Sequence, residues 1–202
     1  MIHRCRNRLR RALMQVAALC MLLGLTPAAL ADDALVDALR RGGLVVLVRH
    51  AVTVPGLGDP PQFRLGDCAT QRNLSEAGRE QARALGRWFR DQGISVGEVR
   101  SSRWCRCLDT ATLAFGDTHP VSPWPPLDSF FEAREREPAA TAAALAGLAE
   151  PVAGNRIWVT HQVNITALSG VFPASGEMVV MRPARTADGG WRLELLGRLH
   201  PA

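Results

Sequence analysis

The sequence predicts an α/β fold built on a mostly parallel central sheet with helices on both faces. Three observations carry that expectation. The apolar run Leu44–Val48, bounded by Gly42-Gly43 and by Arg49, has the pattern of a strand buried on both sides, and "RIWVT" (Arg156–Thr160) is a second run of the same kind. Helical periodicity separates these runs. Each of them ends abruptly in polar residues, Arg49-His50 and His161.

Taken in order, "DDALVDALRRGG" spaces Leu35, Val36 and Leu39 helically and stops at Gly42-Gly43. After the first strand comes a Pro- and Gly-rich loop, Pro55–Asp67. "NLSEAGREQARALGRWFRDQG" reads as a helix with Ser75 as N-cap, Glu76 in its first turn, Ala77, Gln81, Leu85 and Trp88/Phe89 along one side, and Gly93 at its end. Val96–Arg100 is a short strand leading into "SSRWCRCLDTATLAF", where Ser101 or Ser102 can cap a new helix and offer its N-terminal N–H groups to an anion. "HPVSPWPPL" is a connection, and the Ala-rich stretch Pro138–Ala149 favours helix. Following the strand at 156–160, "NITALSGVF" is a short helix or turn. Met178–Met181 and Trp191–Leu196 form a closing hairpin across Asp188-Gly189-Gly190.

Residues 1–31 are expected to be a signal peptide cleaved after Ala31. Met1–Arg11 holds five arginines and no acid, Ala12–Leu25 is apolar but short for a membrane span, and "TPAALA" supplies small residues for a peptidase. The expected location is therefore the periplasm, with no stable membrane span after cleavage and a single domain over residues 32–202. The leader also accounts for the net charge of +5: of 24 basic residues five stand in its first eleven positions, leaving 19 basic against 19 acidic residues. A neutral body argues against a nucleic-acid partner. Cys68, Cys105 and Cys107 remain after cleavage, an odd number in an oxidising compartment, so one thiol stays free. Cys105 and Cys107 are too close in sequence for an ordinary zinc pair.

In open parallel sheets ligands bind beyond the carboxyl ends of the strands. Three such ends deliver Arg49, His50, Arg103, Arg106 and His161 to one crevice. That set suits phosphate chemistry, because arginine forks match phosphate oxygens, a neutral imidazole can attack phosphorus, and a second imidazole can stabilise the transferring group.

"VRHAVT" resembles the Arg-His-Gly-x-Thr signature of the histidine phosphatase superfamily. The likeness continues through "NLSEAGREQA", "SSRWCRCLDTA" and "VTHQVNITAL", which span Leu44 to about Leu168 in the family's order. The resemblance implies a three-layer α/β/α, phosphoglycerate mutase-like domain. It also implies His50 as phosphoryl acceptor, with Arg49, Arg106 and His161 around the phosphate and Thr53 at the pocket edge. No role carries over to Arg103, which stands where the family often has proline. Ala51 replaces the usual glycine, and Gln162 follows His161 where the acid phosphatase branch has an aspartate able to donate a proton. The mutase-like branch places a glutamate between the second arginine and the second histidine, which makes Glu132 the candidate general acid, with Asp128 and Glu135 as near rivals. The family pattern puts Cys107 toward the core and Cys105 toward the loop carrying Cys68, so the expected disulfide is Cys68–Cys105.

The expected function is that of an exported phosphomonoesterase needing neither metal nor other cofactor, acting on a phosphorylated small molecule or envelope glycan. Small exported members of the superfamily, proposed to act on phosphorylated sugars of the lipopolysaccharide core, are similar in size, leader and His-Gln pairing. The alternative is a phosphate-binding or sensor module on the same fold with little or no turnover, favoured by the lack of an unambiguous acid.

Overall fold

A computed structural model describes residues 27–201, with side chains from Asp32 onward. Most of the expected leader, 1–26, lies outside the described residues. The chain divides into one compact unit ending at Asp37 and another beginning at Ala38. In the first, the described residues belong to helix α1, Pro27–Arg41, whose last turn lies in the second unit. Among the described residues no helix is long and apolar enough to cross a membrane.

The second unit is built on a six-stranded mixed sheet. Its strands are β1 (Val45–Arg49), β2 (Val96–Ser101), β3 (Val121–Pro123), β4 (Asn155–Thr160), β5 (Met178–Arg185) and β6 (Trp191–Leu199), in the spatial order β3-β2-β4-β1-β5-β6. The first four of that order are mutually parallel, and β5 and β6 form the antiparallel edge. β4 is buried throughout and β1 at all but its last residue, as their continuous apolar runs require.

The helices are α2 (Glu76–Asp91), α3 (Cys105–Phe115), α4 (Glu137–Ala146) and α5 (Gln162–Ser169). Strand residues alternate between faces. Val45, Leu47, Trp158, Val179 and Met181 pack with Ala144 and Leu148 at and beyond α4 and with Ile165 of α5. Val46, Val48, Ile157 and Val159 turn the other way and are fully buried.

Three details differ from the sequence reading. Ser101 ends β2, and the N–H of Ser102 still donates to Val159 O at 2.9 Å, so α3 starts only after Trp104. The Pro-rich connection contains an edge strand, β3, whose pairing with β2 ends at Ser101 and Pro123. The buried stripe of α2 is Gly78, Ala82, Leu85, Gly86 and Phe89, rotated away from Ala77 because its closest contacts are made by glycines, which carry no hydrophobic signal. Ser75 caps this helix as expected, its Oγ accepting from Gly78 N at 3.1 Å.

α2 and α3 approach so closely that a Cβ on Gly86 would lie 2.1 Å from Ala114 O, a backbone atom. Alanine is worth about 1 kcal/mol more than glycine in an open helix. Here Gly86→Ala is expected to destabilise the protein by about 2 kcal/mol or more through overpacking, measured by urea denaturation. A neutral or stabilising result would show that the two helices can separate freely.

Candidate active site

The register of the two central strands builds the site. β1 and β4 pair in parallel with Arg49 opposite Thr160, and His50 N donates to Thr160 O at 2.9 Å. The residues that follow the strands, His50 and His161, are thereby brought side by side, their rings 5.5 Å apart at 69°. β2 lies on the far side of β4 and leads into Ser102 and α3, where Arg106 is the second helical residue. Thr110 joins α3 to the end of β1: its Oγ1 accepts from Ala51 N at 3.0 Å and donates to Arg106 O at 2.7 Å. Ala51 is fully buried, and no non-glycine residue among those described has positive φ, so the turn after His50 accommodates alanine in place of glycine.

Arg49, His50, Arg106 and His161 line one cavity of about 580 Å³. Arg49 donates from Nη1 to Pro173 O at 2.8 Å, and Arg106 donates from Nη1 to both oxygens of Asp59 at 2.8 and 3.0 Å. The Nε atoms of Arg49 and Arg106 are both buried without a hydrogen-bond partner. Two unspent charged donors beside one cavity are the signature of a site for an anion. Burial, then the charges of Arg72 and Arg106, lowers the pKa of Arg49, a cost that a bound anion relieves.

The histidines have defined proton arrangements. His50 Nδ1 lies 2.9 Å from Ala51 O, which can only accept, so Nδ1 carries the hydrogen and Nε2 keeps its lone pair. Burial, reinforced by the charges of Arg106, Arg49 and Arg72, brings the His50 pKa down to about 3. His161 sits in a chain with fixed ends. Asp128 only accepts and Arg106 only donates; between them Ser102 Oγ lies 3.4 Å from Asp128 Oδ1 and 2.9 Å from His161 Nε2, and Arg106 Nη2 lies 3.5 Å from His161 Nδ1. All contacts are satisfied together only if His161 donates from Nε2 to Ser102 and Ser102 donates to Asp128. Burial and then Arg106 hold the His161 pKa well below the ordinary range.

The remaining candidates are placed as follows. Asp128 is buried and fully engaged, taking Arg103 N at 2.9 Å and the Arg103 guanidinium at 2.8 and 2.5 Å, which leaves neither oxygen for a substrate. Arg103 is thereby held outside the cavity lining, and exposed Glu135 also stands outside it. Glu132 does line the cavity, with its Oε1 against Gly58. Gln162 lines it as well, its amide donating to Thr166 Oγ1 at 2.7 Å. Thr53 is not in the lining and accepts a hydrogen bond from Arg72 Nη1. Three of the N–H groups around the start of α3 are taken up within the protein. Arg103 N is taken by Asp128, Trp104 N by Ser102 Oγ and Cys105 N by Gln71 Oε1 at 3.0 Å.

Two lining residues, Asp59 and Arg72, were not legible beforehand because their loop has no periodicity. The available signals were an isolated acid between Gly58 and Pro60 and an arginine just before "NLSEAGREQA". Asp59 accepts from Arg106, from Trp104 Nε1 at 2.9 Å and from Arg72 N at 3.0 Å. Burial raises its pKa, but these donors outweigh burial and the net shift is downward. The Cys68–Cys105 disulfide fastens this loop to α3 one residue before Arg106. Cys107 is free and buried, its Sγ 3.5 Å from His161 Nε2, and burial pushes its pKa up to about 12.

Residues 45–132 match the model of the histidine phosphatase superfamily, branch 1. No curated protein sequence matches it. Among solved structures, the fold is similar to the protein histidine phosphatase SixA complexed with tungstate (TM-score 0.51, 16% identity, covering 78% of this chain and 97% of that one). It is also similar to the α-ribazole phosphatase of Shigella flexneri (TM-score 0.51, 17% identity, 75% and 95% covered). A third likeness is to a mycobacterial glucosyl-3-phosphoglycerate phosphatase (TM-score 0.54, 19% identity, 77% and 98% covered). At these identities the likeness is one of fold.

Both site histidines have folded-state pKa values below the 6.5 of an unperturbed imidazole. The unfolded chain therefore takes up protons that the folded one refuses, so this contribution to stability is complete above pH 6.5 and is lost as pH falls toward the folded values. Between pH 6.5 and 4.5, above the ordinary glutamate range, denaturation midpoints are expected to fall steadily. The fall should be shallower in a His50→Gln/His161→Gln variant, and an unchanged slope would assign it to other groups.

Proposed function

We propose that this protein is an exported phosphomonoesterase that hydrolyses a phosphoester through a phosphohistidine at His50. The observation that carries the reading is the pair of buried, unpartnered guanidinium Nε atoms on Arg49 and Arg106 beside a neutral His50. A phosphate dianion supplies the missing acceptors. His50, with its hydrogen held at Nδ1 by Ala51 O, presents the Nε2 lone pair to phosphorus.

In the first step Nε2 bonds to phosphorus as the ester P–O bond breaks, and the departing oxygen takes a proton from Glu132 in its acid form. His161 is neutral in the free site. It takes a proton from solvent at Nδ1 as the phosphate dianion enters, gives up its contact with Arg106 Nη2, and then faces the phosphoryl oxygens as a cation, steadied at Nε2 by Ser102. In the second step water attacks phosphorus and gives a proton to Glu132, and the P–N bond returns its electron pair to His50. Arg49 and Arg106 hold the phosphoryl oxygens throughout, while Arg72, anchored on Gly58 O at 2.8 Å, adds charge at the same cavity.

Export is supported by the arginine-rich, apolar and small-residue order of residues 1–31, and it favours an envelope glycan over a cytosolic metabolite as the source of the phosphoester. A disulfide beside the site fits an oxidising compartment.

His50→Ala is expected to abolish turnover while retaining vanadate binding, because nucleophile and clamp are different residues. A rapid quench with labelled phosphoester should leave acid-labile phosphate on His50, and label on serine or cysteine would sink the mechanism. Retained vanadate binding without any turnover by the wild-type protein would instead favour the sensor reading.

A second outcome tests the acid. Glu132→Gln should slow an alkyl phosphate by roughly 100-fold and an aryl phosphate with a good leaving group much less, since only the former needs a proton to depart. Equal losses on both would make Glu132 a positioning residue.

A further inference from the structure

The phosphate clamp uses only part of the cavity. Its volume of about 580 Å³ is in the range of sites for whole organic ligands, well beyond the need of a phosphate or a short alkyl ester. What lines the rest is strongly apolar. Among the large hydrophobic side chains exposed in the described residues, Leu57 (89%), Phe172 (69%) and Phe131 (44%) all face this cavity. They come from three separate segments: the loop after β1, the stretch between β3 and α4, and the loop after α5. Half-buried Phe63 joins them, and the Arg134 guanidinium lies over the Phe131 ring, 5.6 Å from its centroid. Exposed apolar side chains that converge from distant segments on one charged pocket mark a ligand surface.

We infer that the outer part of the cavity is a leaving-group subsite for a ring with an apolar face, laid against Phe131, Phe172 and Leu57 while its phosphate occupies the arginine clamp. The shared chemistry is that of a phosphate ester of a pyranose or of an arene. A pyranose presents a face of C–H groups and an arene a π-face, and either fits an aromatic wall with a cation beside it. Acyclic phosphoesters, including phosphorylated serine side chains, offer no such face. The inference rests on the phosphatase reading for the placement of the phosphate. It is independent of that reading in what it says of the leaving group.

The test compares glucose 6-phosphate with glycerol 3-phosphate, two primary alkyl phosphates that differ in the ring, and adds 2-naphthyl phosphate against phenyl phosphate to separate the aryl from the glycosyl source. Turnover is measured with the wild-type protein and binding with His50→Ala, so that the comparison stands even without catalysis. At least one cyclic or larger-ring member is expected to exceed its partner by 10-fold or more in kcat/KM and in affinity. Phe131→Ser/Phe172→Ser should collapse that ratio to within about 3-fold, chiefly through KM. Ring-selective binding without hydrolysis would overturn the phosphatase reading and keep this one. Hydrolysis with no preference in either pair, or a preference unmoved by the double substitution, would overturn this inference and leave the phosphatase reading intact.

Discussion

The parallel pairing of β1 with β4 is the constraint on which the site depends. Neither histidine lies in a strand, yet each directly follows one, and the alignment of Arg49 with Thr160 makes the two ends coincide. A slip of one residue in β1 would exchange Val46 and Val48 with Val45 and Leu47 between its two buried faces, so the close packing of both faces holds the register. Catalytic geometry is thus enforced by side chains that never touch the cavity. β2 adds to this by reaching only as far as Ser101, which leaves Ser102 positioned between Asp128 and His161.

A second feature is the way charge is arranged around two neutral imidazoles. Arg49, Arg72 and Arg106 stand together in the cavity wall, and one acid, Asp59, ties down a single nitrogen of Arg106, Nη2 faces His161 Nδ1, and Nε is left without a partner. Like charges held close and partly dehydrated are costly in the free protein. They persist because the surrounding backbone holds them: Pro173 O on Arg49, and Gly58 O on Arg72. The site is preorganised for an anion, with the cost of gathering the positive charge met by folding before any ligand arrives.

Most of this architecture was legible in the sequence because its signals are local. β1 and β4 announce themselves as unbroken apolar runs, and Ser75 followed by Glu76 marks the start of α2. What could not be read depended on distant partners. Ser101 and Ser102 have the composition of helix caps, but pairing with β4 keeps both extended, so α3 begins later than its serines suggest. β3 was hidden by its prolines, which suit an edge strand but mimic a loop. Asp59 and Arg72 acquire meaning only when the loop folds over Arg106. Asp128, a near rival of Glu132 in one dimension, is set apart from it in three by Arg103, which engages its carboxylate completely.

The burial of Cys107 also bears on how the chain is made. The three cysteines among the described residues allow three alternative single bridges, and an exposed third thiol would attack the bridge beside it and let the pairings interchange. With its pKa pushed up to about 12, Cys107 keeps its proton, and a protonated thiol is a poor nucleophile for disulfide exchange. The same core that seats His161 therefore guards the bridge: once α3 has docked, the Cys68–Cys105 pairing has no reactive competing thiol among the described residues.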